Sequence, residues 1–287
     1  MGFLGTAKTA INCFLHPFNL RLDTCTADRA EIARLACLVQ DGHFARPIFP
    51  VLEQFHRCDP TPIIDAVKKH APQFEQFNTE SRPDRYSFAN DYYTSPDAEI
   101  LYAMVRLYQP HCIIEVGSGN STLLMRHAIA DGGMPTQIIS IDPMPRRNIE
   151  WFADEVIRER VEKLDANRII SRLERNDILF IDSSHEIRSG NDVIHLFLNI
   201  LPSLRKGVIV HMHDIFLPYE YPQEWMVKYR WNWNEQYLLQ ALLQGSYEYE
   251  VLWAGYYLQK TKPNISDNFQ FWKGDAARSI WLRRIAG

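Results

Sequence analysis

Two short stretches, "IDSSH" ending at His185 and "HMHD" ending at Asp214, carry acids and histidines at spacings suited to proton or metal chemistry. An apolar run leads into each, so Asp182 and Asp214 are expected at the carboxyl ends of buried strands. His185 follows Asp182 by three residues, on the loop. His211 and His213 alternate along their strand and share one face. If the two strands are neighbours in an open sheet, Asp182 and Asp214 meet above its edge. Two carboxylates and two imidazoles there can bind a divalent metal or manage a proton. A histidine near its ordinary pKa of ~6.5 suits a general base at neutral pH. The plainer alternatives are a loop-stabilising role for His185 and a buried, hydrogen-bonded core role for His211.

A second motif, "CIIEVGSGNSTLLMRHA", begins at Cys112. It reads as a buried strand, a glycine turn and a helix start, an arrangement that points free amide N–H groups at a ligand. A dinucleotide fingerprint has a third glycine, and here that position is Thr122. A phosphate-binding P-loop ends in Gly-Lys-Ser/Thr, and none is present. A nucleoside without phosphates asks for less: a glycine turn beside its amino-acid part and an acid for its ribose. Asp142 ends the next apolar run, 23 residues beyond Gly119.

In this order, "IIEVGSGNST", "IISIDP", "DILFIDSSH" and "GVIVHMHDIF" resemble class I S-adenosylmethionine-dependent methyltransferases, and more narrowly methyltransferase domain family 24. The resemblance covers roughly Tyr86 to Thr261. It implies S-adenosyl-L-methionine as cofactor. Glu115, Gly117, Ser118 and Gly119 would hold the methionine part and approach the ribose, Asp142 would take the ribose hydroxyls, and Pro143 and Met144 would lie near the adenine. Set beside the catechol-type O-methyltransferases, Asp182 matches a metal aspartate, His185 the base position and Asp214 a second metal aspartate. Ile215 stands where that pattern has asparagine. His213 would compensate as a nitrogen ligand, which favours Mn, Fe, Co, Ni or Zn over Mg. The expected function is methyl transfer to a hydroxyl of a small molecule, with His185, His213 and Asp182 as catalytic residues. The expected metal ligands are Asp182, Asp214, His213 and His185. An N-methyltransferase, a metal-independent O-methyltransferase and a non-catalytic cofactor-binding protein are the alternatives.

The elements that must position these residues alternate from Cys112 onward. Apolar strands are expected at "CIIEVG", "QIISIDP", "NRIIS", "DILFIDSSH" and "KGVIVHMHD". Helices are expected at "IEWFADEVIRERVEKL", "DVIHLFLNILPSL" and "NWNEQYLLQALLQ", and "YEVLWAGYYL" and "ARSIWLRRI" close the chain as strands, read as a hairpin pair. Strands apolar on both faces belong to a parallel sheet, so the fold class is α/β, doubly wound and mostly parallel. Residues 1–95 read as a mainly helical N-terminal cap, and residues 96–287 as the cofactor-binding domain with an aromatic insert at 215–233. Within the cap, Thr26 or Asp28 would start one helix whose face carries Ile32, Leu35 and Leu38, and Pro62 would open another. Ser95 would cap a helix beginning at Pro96. Tyr92 and Tyr93 are expected to line the pocket. Tyr219, Tyr221, Trp225, Trp231 and Trp233 are expected to overhang it as a lid, or to form a packed loop or contact between subunits.

Composition narrows the classes. The chain has 287 residues, 46% hydrophobic and 23% charged, with a formal net charge of -4, as an ordinary globular protein does. No Lys/Arg tract suggests nucleic acid, no apolar run reaches the ~18 residues of a membrane span, and the start lacks the basic and apolar regions of a signal peptide. The expected partner is a small-molecule substrate, the expected place the cytoplasm, and homo-oligomerisation stays open. The five cysteines form no C-x-x-C pair and read as reduced, mostly buried small hydrophobes.

Overall fold

The computed structural model describes residues 3–286 of the chain. The chain forms two compact units: residues 1–46 with 222–231, and residues 47–221 with 232–287.

The smaller unit holds α1 (Phe3–Leu15), α2 (Thr26–Gln40) and a π-helical turn at Glu224–Lys228. Cys25 stands at the N-cap of α2, without a side-chain cap from Thr26 or Asp28. Leu35 is buried, but Ile32 is 46% exposed, so the expected apolar face of α2 is only partly covered.

In the larger unit α3 (Glu53–His56), α4 (Thr61–Lys69), with Pro62 in its first turn, and α5 (Ala71–Phe74) precede α6 (Asp97–Tyr108). Residues 47–95 thus pack with the sheet rather than with the first 46, a division that differs from the expected boundary at 95. Pro96, not Ser95, occupies the N-cap of α6. The Ser95 hydroxyl donates instead to Glu99 Oε1 at 2.7 Å, which removes it from the capping position.

The sheet has seven strands in the order β3-β2-β1-β4-β5-β7-β6. They are β1 (Cys112–Val116), β2 (Gln137–Ile141), β3 (Glu155–Ile157), β4 (Ile178–Ile181), β5 (Ile209–Met212), β6 (Tyr249–Ala254) and β7 (Ile280–Arg284). Strands β1 to β5 run parallel, and β7 is antiparallel to both neighbours. Side chains alternate between two cores, as the period of two requires. Ile114, Val116, Leu179, Ile181, Val210 and Met212 enter one; Ile113, Ile138, Ile178, Phe180 and Ile209 enter the other. Burial on both faces is why these runs are continuously apolar. The doubly wound reading is borne out.

Local assignments differ in three places. "NRIIS" is helical, part of α8 (Ala166–Ile170), because the Asp165 side chain caps it by accepting from the Asn167 amide. The third strand lies earlier, in the stretch read as a helix. There the β-branched Val156 and Ile157 pair with Ser140 and Ile141 at the sheet edge. Last, β6 and β7 pair antiparallel, but α11 (Gly255–Thr261) and a further connection separate them, so no tight hairpin forms. The remaining helices are α7 (Asn120–Gly132), α9 (Asp192–His195), extended by a π-helical turn, and α10 (Glu235–Gly245).

All five cysteines are free; Cys13, Cys25 and Cys37 are exposed, so only Cys58 and Cys112 match the expected burial. Among the described residues no helix is long and apolar enough to cross a membrane.

Candidate active site

The β1–α7 turn is closed by its own side chains. Gly117 has φ +82°, and a Cβ there would lie 1.9 Å from the Asp182 carbonyl oxygen, so no side chain fits. Its amide donates to Ile141 O at 3.1 Å, and the Asp182 amide donates to Val116 O at 2.9 Å, tying three strand ends together. Thr122, the residue that breaks the dinucleotide pattern, has a definite task. Its hydroxyl donates to Glu115 at 2.6 Å and accepts from the Gly119 amide at 3.1 Å. Ser121 donates to the other Glu115 oxygen at 2.6 Å. Glu115 is wholly buried behind this turn, and burial pushes its carboxyl up to about 8 against the pull of those hydroxyls.

Asp142 sits beside the turn. Its Oδ2 accepts from the Ser118 amide at 2.8 Å and the Ser118 hydroxyl at 3.1 Å, and its Oδ1 accepts from the Met144 amide at 2.8 Å. Pro143 and Met144 are exposed, Met144 by 82%.

A cavity of about 860 Å³ opens over this turn. Ser118, Gly119, Asn120 and Ser121 form its floor, and Tyr92, Tyr93 and Asn90 one wall. Arg146 and Arg147 form another, with the Arg146 guanidinium 4.9 Å above the Tyr92 ring. Asp182 lines it at the end of β4. The size falls in the range of small-molecule sites. The turn amides and Ser118 line the cavity, and Asp142 offers acceptor oxygens beside the turn without being among the lining residues, a set that fits a nucleoside bearing an amino-acid part. Tyr92 and Tyr93 line the cavity as expected. None of the five aromatics expected to form a lid is among its lining residues; Trp225 and Trp231 lie in the smaller unit, 5.0 Å apart between ring centroids, and Tyr221 is buried.

The acid–histidine cluster begins at Asp182. His185 Nε2 is 3.3 Å from Asp182 Oδ1 and 3.7 Å from Asp214 Oδ2. One ligand atom from each of Asp182, His185 and Asp214 can be chosen so that all lie within 4.8 Å of one another. This donor set fits a divalent metal. His185 and Asp214 both hold left-handed backbone, φ +60° and +55°. Such strain costs about 1–3 kcal/mol for a non-glycine residue and gathers at functional sites. His213 lies further out, its Nε2 3.9 Å from Asp214 Oδ1, and neither ring nitrogen makes a hydrogen bond. It shares a face with His211, as expected, and packs 4.7 Å from the Tyr93 ring. His211 is deeper. It stacks on Phe180 at 3.9 Å, its Nε2 is 3.3 Å from the Tyr93 hydroxyl, and burial holds it well below the ordinary histidine range.

Three further residues complete the cluster: Trp233, one of the aromatics expected in a lid, and Glu235 and Arg278, which the sequence did not single out. Glu235 Oε2 is 3.4 Å from His185 Nδ1, and the Trp233 ring covers the imidazole at 4.2 Å. Arg278 donates to Asp214 Oδ1 at 3.2 Å. Burial by itself would lower the His185 pKa, but Glu235, Asp182 and Asp214 overcome it and hold the ring proton well above the ordinary range. The expectation of a histidine near its usual pKa is therefore corrected. Asp182 responds in the opposite sense: burial would raise it, but the hydrogen bond from His185 and the nearby imidazoles keep it below the usual carboxylate range. Glu235 and Arg278 lie in segments that read as an ordinary helix start and an ordinary strand, so no local signal marks them.

Residues 114–215 match the family model described as a methyltransferase domain. No curated protein matches the chain. Among solved structures, an O-methyltransferase of Bacillus cereus in complex with S-adenosylhomocysteine is 13% identical; the match covers 79% of this chain and 92% of that one, with a TM-score of 0.41. An S-adenosylhomocysteine-bound methyltransferase of Podospora anserina is 15% identical over 93% of this chain and 98% of that one, with a TM-score of 0.42. Likenesses this remote carry no argument about the site.

Proposed function

We propose, from the premise that this chain carries a class I S-adenosylmethionine-dependent methyltransferase domain, that it methylates a hydroxyl of a small molecule and that His185 is the base. One observation carries the reading: Asp182 lines the same cavity as the glycine turn and touches His185 Nε2 at 3.3 Å. Asp182 thus links the cofactor cradle to a proton acceptor that stands behind it, His185 itself not being a lining residue.

The cofactor, when bound, supplies a sulfonium methyl group that a nucleophile displaces, leaving the bond's electron pair on sulfur. The chain's own residues supply position and proton traffic. Glu115 braces the turn from behind, through Ser121 and Thr122. The amides of Ser118 and Gly119 face the amino-acid part, and Asp142 takes the ribose hydroxyls, exchanging its present contacts with Ser118 for them. Pro143 borders the adenine. Tyr93 and Asn90 wall the acceptor side and keep water out. The acceptor's proton passes to His185 Nε2, with Asp182 in contact. A divalent metal held by Asp182, Asp214 and His185, with His213 as a further nitrogen ligand, would lower the acceptor's pKa.

A metal-independent route is the second reading, favoured by Arg278, whose guanidinium already answers Asp214. The free cysteines fit a reducing compartment, so the cytoplasm is part of the proposal. The test is transfer of labelled methyl from S-adenosylmethionine to a panel of catechols, phenols, sugars and matching amines. Transfer to hydroxyl compounds is expected; transfer confined to the amines would overturn the reading.

A further inference from the structure

Glu235 opens α10 and is 1% exposed. Neither of its carboxylate oxygens makes a hydrogen bond. A carboxylate buried in this way is costly unless an opposite charge or a donor answers it. What answers it is His185, whose Nδ1 lies 3.4 Å from Glu235 Oε2. An acid that served only the start of a helix would sit over the first-turn amides and bond to them. Glu235 does not.

The neighbouring residues make the same connection. The His185 carbonyl accepts from the Asn234 amide at 2.9 Å and the Glu235 amide at 3.2 Å. Asn234 Oδ1 accepts from the Ile187 amide, and Trp233 covers the imidazole face. Trp233, Asn234 and Glu235 therefore grip the ring face, the loop backbone and Nδ1 in turn. Nδ1 faces Glu235 at an ion-pair distance, outside hydrogen-bond geometry, and Nε2 is the nitrogen left for Asp182 and Asp214.

We propose that Glu235 is the positioning acid of His185: by holding Nδ1 it fixes the ring so that Nε2 faces Asp182 and Asp214 beside the cavity. The proposal rests on His185 being the working histidine of the site. It applies whether Nε2 takes a proton or a metal, since a carboxylate on the far nitrogen orients the imidazole in either case.

The experiment uses the full chain labelled with 15N-histidine and treated with chelator. Long-range proton–nitrogen spectra report each ring, and His185 is assigned by its loss in His185→Gln. In the wild type, Nδ1 carries a hydrogen-bonded, low-field proton. In Glu235→Gln that proton moves upfield and the ring nitrogens shift, while affinity for S-adenosylhomocysteine stays within about twofold; Glu235→Asp restores part of the signal. On any acceptor found in the panel, Glu235→Gln lowers kcat by about 10–100-fold at unchanged KM. Identical His185 signals in wild type and folded Glu235→Gln overturn the proposal. So does a wild-type ring whose Nδ1 is bare, which decides the matter if Glu235→Gln does not fold. His185→Ala turning over at the wild-type rate sinks the base role instead, and leaves the spectrum to judge the contact.

Discussion

The glycine turn and the acid–histidine cluster, which meet at Asp182, are built differently. At the glycine turn the polar groups satisfy one another: Ser118 bonds Asp142, and Ser121 and Thr122 bond Glu115. At the acid–histidine end, buried polar atoms go without hydrogen bonds: both ring nitrogens of His213, Nδ1 of His185 and of His211, and both oxygens of Glu235. The backbone is relaxed by a glycine at the first end, whereas His185 and Asp214 hold left-handed conformations at the second. A self-satisfied turn keeps its backbone shape without a ligand, and only the contacts between Asp142 and Ser118 must be exchanged on binding. Unmet polar groups and strain mark a place whose charges are completed by a proton, a metal or a substrate.

The largest effect expected from breaking this contrast is at the second end. His185→Ala should lower the single-turnover rate by ~10²–10⁴ and leave cofactor affinity unchanged, because the base acts on the acceptor. In chelator-treated wild type the rate should rise with pH, since only the neutral imidazole accepts a proton. That rise should fall above pH ~6.5, because the surrounding carboxylates hold the ring proton. A flat profile with an unchanged His185→Ala rate would remove the base.

At the first end, Gly117→Ala drives a Cβ to 1.9 Å from the Asp182 carbonyl, in a left-handed conformation. Destabilisation of about 3 kcal/mol or more is expected in denaturant titrations. A loss under about 1 kcal/mol would mean that the strand ends yield easily. Asp142→Ala should weaken S-adenosylhomocysteine binding by about 1.5–3 kcal/mol, roughly tenfold to a hundredfold by calorimetry. Full affinity in the folded variant would leave Asp142 as a brace for Ser118 alone.

A further effect, read in stability alone, concerns Glu115. A carboxyl held at about 8 in the fold, against the ordinary carboxylate range unfolded, contributes stability that is present at low pH. That contribution is lost as pH rises from ~4.5 toward the folded value. Glu115→Gln should flatten this part of the stability profile in urea titrations from pH 5 to 8. An unaltered slope would place the pH dependence elsewhere.

How far the sequence could be read follows the same division. The turn is local: Gly117, Ser118 and Thr122 are neighbours in the chain, and Asp142 ends the adjacent strand, so spacing was enough. The sheet was legible because β1, β4 and β5 are buried on both faces and carry continuous apolar runs. The edge strand β3, with three half-buried residues, has no such run and reads as helix in the sequence. The cluster was half legible. Asp182, His185 and Asp214 come from strand tips, but Glu235 and Arg278 arrive through tertiary packing from segments 50 and 64 residues beyond His185 and Asp214 respectively, as subtraction of the numbers gives. The raised pKa of His185 depends on burial and on Glu235, so it is not legible in the sequence either.

The glycine turn and His185 meet at one point, Asp182. A crystal structure grown with S-adenosylhomocysteine tests it. The ribose is expected on Asp142, the amino-acid part over Ser118 and Gly119, and the sulfur turned toward Asp182 and His185. Product bound with its sulfur facing away from Asp182, or lodged outside the cavity, would contradict it.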